Sequence, residues 1–200
     1  IPAAVQPARG QLWVLQGGPG YNGTTIEFEV PNFTAAIDDL DIYVPDHRGT
    51  GYSSVLECPE LDAYPASSRP VDPADVEAAV PGCVADLEAI WGDGLKQFSA
   101  TGAGRDLGEL IERTREPGQE VYVYGVSYGT RWAHRYLQQF PAQPSGVILD
   151  SIVGPDAPDA FDAADAFDAH ALRDARGAPG DTSSDRLDVV MDGADARDVT

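Results

Sequence analysis

"VYVYGVSYGTRWAHRYL", residues 121 to 137, decides how the rest of the chain is read. An alternating run from Val121 to Tyr124 has the period of a pleated strand. The chain then passes through Gly125-Val126-Ser127-Tyr128-Gly129 straight into a helical pattern that Pro141 must end. Small residues two positions either side of Ser127 let a strand and a helix meet at a sharp bend. Such a bend forces unusual backbone angles on its apex and lifts the apical hydroxyl above the strand ends. The following helix aims its positive end at the same point, which favours a developing negative charge. An ordinary glycine-rich turn is the bland alternative. The strand before and the helix after favour a nucleophile elbow, with Ser127 as the nucleophile.

Working outward, three more stretches have strand character: "QLWVLQGG" (11–18), "LDIYVP" (40–45) and "SGVILDSI" (145–152). The strands are expected near 12–16, 40–44, 121–125 and 146–151. Helices are expected at about 32–39, at 83–92, at 101–116 and from Ser127 to about Phe140. The third is amphipathic, with Leu107, Leu110, Ile111 and Thr114 on one face and Pro117-Gly118 as the stop. Residues 55–82 carry several prolines and little periodicity, so a long excursion is expected there. Strands separated by helices at this spacing predict an α/β protein with a mainly parallel sheet.

Composition narrows the function. The 200 residues carry 33 acidic and 13 basic side chains, a formal charge of −20. A nucleic-acid partner would need basic surface to replace phosphate counterions, and an anionic membrane would repel this chain. No stretch approaches the ~20 apolar residues that cross a bilayer, so no membrane insertion is expected. The charge is uneven: residues 155–200 hold 12 Asp, no Glu and 4 Arg. The domain reading is therefore a core over 10–154, followed over 155–200 by a low-complexity acidic tail with one helix near 160–175. Cys58 and Cys83 match no zinc spacing and leave either a disulfide or two buried thiols. No metal or organic cofactor is implied.

Acyl transfer at Ser127 needs donors for an oxyanion. One is the backbone N–H of the next residue, Tyr128; the other comes from the loop after an earlier strand. "LQGGPG" (15–20) stands in that place, and Gly18 is the expected second donor. In "PDHRGTGYSS" (45–54), Asp46 and Arg48 are expected in an ion pair that pins the loop rather than in substrate binding. His47 lies between them, on a loop expected to look away from the elbow. His134 lies seven residues into the elbow helix, about 10 Å along it, and is expected to be structural.

Three motifs in this order, "QGGPG" (16–20), "DHRGTGYSS" (46–54) and "GVSYGT" (125–130), resemble the α/β-hydrolase family of prolyl and tripeptidyl aminopeptidases. "VILDSIVGP" (147–155) fits the family's strand after the nucleophile helix, while Gln16 stands where the family often has His. The resemblance implies a partial α/β-hydrolase fold with spatial strand order second, first, third, fourth, and with the first and last strands of the full fold missing. It implies a serine peptidase acting on substrates with a free N-terminus, without cofactor, through an acyl-enzyme on Ser127. It also implies a Cys58–Cys83 disulfide and an extracytoplasmic or secreted location.

The triad acid and histidine are not identifiable in this chain. They would follow two further strands, beyond a cap that begins where the acidic stretch stands. His170 lacks the strand and acid partner that a base needs, and Asp150, at a strand end, is structural in the family. The chain is thus expected to be a fragment or the product of a frame change, unstable and inactive by itself. An ester hydrolase of the lipase type and a catalytically incomplete remnant are the alternatives. Epoxide hydrolases and dehalogenases place Asp where this chain has Ser127.

Overall fold

The computed structural model describes residues 1–59 and 73–154. The acidic stretch, the helix expected at 160–175 and His170 lie outside the described residues. Four strands form one parallel sheet: β1 (Gly10–Leu15), β2 (Leu40–Tyr43), β3 (Glu120–Val126) and β4 (Gly146–Asp150), in the spatial order β2-β1-β3-β4. The expected strands and their expected order are both present. Parallel strands need crossovers, and helices supply them. These are α1 (Val30–Ala36), α2 (Pro73–Trp91), α3 (Ala100–Thr114) and α4 (Tyr128–Gln139).

Every residue of β1 is buried, as a central strand covered on both faces requires. Trp13 and Leu15 face one side with Val121 and Val123, under Ala103, Leu107 and Ile111 of α3 and Trp132, Ala133 and Tyr136 of α4. Leu12 and Val14 face the other side with Ile26, Leu40 and Ile42, and Phe33 and Ile37 pack against them. The alternation seen in the sequence thus sorts side chains to the two faces. Glycines bring α3 and α4 together: a Cβ on Gly104 would lie 2.7 Å from the Tyr136 amide, and one on Gly108 would strike the Phe140 ring.

Two sequence expectations are corrected. Leu110 is not on the core face of α3. It is 42% exposed, because the buried positions follow Ala103, Leu107 and Ile111 at spacings of four. The helix expected at 83–92 begins at Pro73 and runs through Pro81, inside the region read as an excursion. Among its described side chains only Cys83 and Leu87 are buried, so a weak apolar period concealed its first half. Cys58 and Cys83 form a disulfide with Cα atoms 5.0 Å apart, joining the segment after β2 to α2. At the β4 end, Ile148 and Ile152 are more than half exposed.

Candidate active site

Register sets the site. β1 and β3 pair level from Gly10↔Glu120 to Leu15↔Gly125, so the loop leaving β1 and the bend leaving β3 emerge side by side. Ser127 occupies the bend at φ 52° and ψ −122°, and it is partly exposed. No L-residue prefers that conformation, which costs of order 1–3 kcal/mol and persists only where the surroundings impose it. The surroundings are explicit. The Ser127 N–H donates to the Asp150 carbonyl at 2.9 Å, and the Ser127 carbonyl accepts from the Thr130 amide at 2.9 Å and the Thr130 hydroxyl at 2.6 Å.

The two flanking glycines are required by contact. A Cβ on Gly125 would stand 2.6 Å from the Gly129 carbonyl oxygen, and one on Gly129 would strike the Leu15 carbonyl. Strand, bend and helix therefore close on each other only with hydrogen at both positions. Tyr128 opens α4, at a position whose N–H points out of the helical ladder. As the cap residue of α4, Ser127 makes no side-chain capping hydrogen bond.

Opposite the bend stands Gly17, a residue the sequence reading passed over in favour of Gly18. A Cβ on Gly17 would lie 3.0 Å from Ser127 Cβ and 3.4 Å from its Oγ, so this backbone approaches the hydroxyl as only glycine can. The Gly17 amide donates to Gln16 Oε1 at 2.7 Å, while Gln16 Nε2 donates to Thr25 Oγ1 at 2.7 Å. Gly18 sits at φ 120°, where the chain curls back toward the amides of Gly20 and Tyr21. Only the second glycine of the pair announces itself by a turn. The first is needed for its approach to another segment, which no local pattern records.

The loop after β2 is held as expected, with different partners. Asp46 accepts the amides of Gly23 and Tyr52, both at 2.6 Å, and does not pair with Arg48. Arg48 grips Asp106 of α3 through Nε and Nη2 at 2.8 and 2.6 Å and donates to the Gln97 carbonyl at 2.7 Å. His47 does not look away. Its ring centroid lies 5.0 Å from that of Trp132 and 5.8 Å from that of Tyr128, against the elbow helix. His47 Nδ1 is 2.6 Å from the Arg48 carbonyl, which can only accept, so Nδ1 carries a proton. His134 sits half-buried on α4, its pKa lowered by burial and by Arg135 and Arg131. Asp150 accepts from the Tyr124 hydroxyl at 2.8 Å and the Ser151 hydroxyl at 2.9 Å, which hold its carboxyl below the ordinary range.

A cleft of about 190 Å³ opens beside the bend, lined by Gly17, Tyr21, His47, Leu56, Phe98 and Tyr128 among others. Among the described residues, no helix is long and apolar enough to cross a membrane, and no three His, Cys, Asp or Glu side chains gather as a metal would require.

A serine at positive φ on a strand-to-helix bend, in a parallel sheet of this order, is the core of one fold family, and a family model described as the alpha/beta hydrolase fold matches residues 12–186. The chain belongs to the α/β-hydrolase fold family. No curated protein matches it. Here the Gly17 backbone faces Ser127 at the start of α4. His170 falls outside the described residues.

Proposed function

We propose that this α/β hydrolase is a serine acyl hydrolase acting through an acyl-enzyme on Ser127. One observation carries the proposal: Ser127 is held at φ 52°, partly exposed, with the Gly17 backbone facing its hydroxyl. Oγ would attack the acyl carbon, and the oxygen of the tetrahedral adduct would be held by backbone N–H groups of Tyr128 and Gly18. Each such donor is worth about 10²–10³ in turnover. A general-base histidine and the acid that orients it, neither identifiable in this chain, would complete the triad.

The substrate proposed from the three motifs is a peptide with a free N-terminus, cleaved in an extracytoplasmic setting that suits the Cys58–Cys83 disulfide. An ester hydrolase is the alternative, since the same elbow and oxyanion loop serve esters. Aminoacyl and tripeptidyl amides tested against p-nitrophenyl esters separate the two. Turnover of amides that is lost on N-acetylation supports the exopeptidase. Turnover of esters alone supports the alternative, and no turnover of either supports the incomplete remnant.

A further inference from the structure

Thr130 is fully buried in the first turn of α4, where its hydroxyl meets both the bend and Val153. It donates to the Ser127 carbonyl at 2.6 Å and accepts the Val153 amide at 2.9 Å. Val153 belongs to the segment leaving β4. That segment begins with Ser151, which at φ 56° is, with Ser127, one of two non-glycine residues at positive φ among those described. The adjoining end of β4 is tied to the bend as well, by the Ser127 N–H on the Asp150 carbonyl at 2.9 Å. The N–H and C=O of Ser127 are therefore both fixed, one directly by the end of β4 and the other through Thr130. A backbone conformation that L-residues avoid stays in place only when held from more than one side.

We infer that Thr130 is a positioning residue: its hydroxyl locks the Ser127 backbone to the segment leaving β4, so that the order of that segment sets the aim of the nucleophile. This rests on Ser127 being the nucleophile, since a bend without chemistry would need no such aim. Valine has nearly the shape of threonine and lacks the hydroxyl, while serine keeps the hydroxyl and loses only a methyl group. The pair separates hydrogen bonding from packing.

The test compares the complete gene product with its Thr130→Val and Thr130→Ser variants in two measurements. Amide hydrogen exchange is followed at residues 127 and 151–153, with core amides of β1 as the internal standard. Fluorophosphonate labelling is followed as a rate at Ser127. Thr130→Val is expected to speed exchange at Val153 and Ser127 relative to β1 and to slow labelling by about tenfold or more. Thr130→Ser is expected to restore both. Labelling of Thr130→Val at the wild-type rate overturns the inference, as does Thr130→Ser behaving like Thr130→Val, or local exchange that does not move. If wild-type Ser127 takes no label, the serine-hydrolase proposal fails on its own. Exchange at Val153 and Ser127 then decides whether the Thr130 lock exists.

Discussion

Replacing Gly17 by alanine tests the facing of loop and nucleophile without touching either the nucleophile or the core. Gly17 is not among the glycines at positive φ, so its backbone accepts alanine. The obstacle is spatial. The new Cβ would stand 2.9 Å from the Val126 carbonyl oxygen and 3.0 Å from Ser127 Cβ. Carbon atoms rest at about 3.5–4.0 Å, so loop and bend must part by about 0.5–1 Å. Such overpacking costs about 1–3 kcal/mol. At about 2–4 °C per kcal/mol for a chain of this size, Tm should fall by roughly 2–12 °C. The chemical effect is larger in proportion, since a displacement of about 1 Å at a reacting group costs about 100-fold. Fluorophosphonate labelling of Gly17→Ala should therefore slow by about 10- to 100-fold. Gly94→Ala, where a Cβ meets nothing within 4 Å, should leave both quantities unchanged. A Gly17→Ala protein with wild-type labelling and wild-type Tm would refute the placement of this loop against Ser127.

Three further outcomes are expected. Replacing Cys58 and Cys83 by serine releases a loop of sequence separation 25, which should lower stability by about 3.5 kcal/mol in chemical denaturation; an unchanged midpoint under oxidising conditions would contradict the pairing. Arg48→Ala removes a two-pronged contact to a half-exposed Asp106 and a bond to the Gln97 carbonyl, and should cost about 1–3 kcal/mol by urea titration. Tyr124→Phe removes a donor from Asp150, so the carboxyl should titrate closer to its ordinary 3.8 by NMR. Because the folded value is depressed, the stability that this carboxylate contributes is present above 3.8 and lost as pH falls through the lower folded value. Tyr124→Phe should flatten that acid limb.

The fold was legible where local pattern and packing coincide. The strand period, the prolines that end helices and the glycines around Ser127 each encode a constraint on adjacent residues, and strands, order and bend emerge where they were expected. Other features depend on residues distant in sequence. Asp106 lies 58 residues from Arg48, and nothing in "PDHRGTGYSS" names it as the partner. Gly17 matters for its approach to a bend 110 residues on, and His47 for its contact with a helix begun 81 residues later. Thr130 reads as an ordinary helical residue until the end of β4 is brought beside it. The part of α2 before Cys83 escaped for the opposite reason: none of the described side chains at 77–82 is buried, so their pattern carries no period.

The central claim is that the bend makes Ser127 a reactive alcohol. Mass spectrometry of the complete gene product after exposure to a fluorophosphonate tests it most directly. One adduct per chain, on the peptide containing Ser127 and absent from Ser127→Ala, is the predicted result. An unlabelled wild-type chain, or an adduct that survives Ser127→Ala, would contradict it.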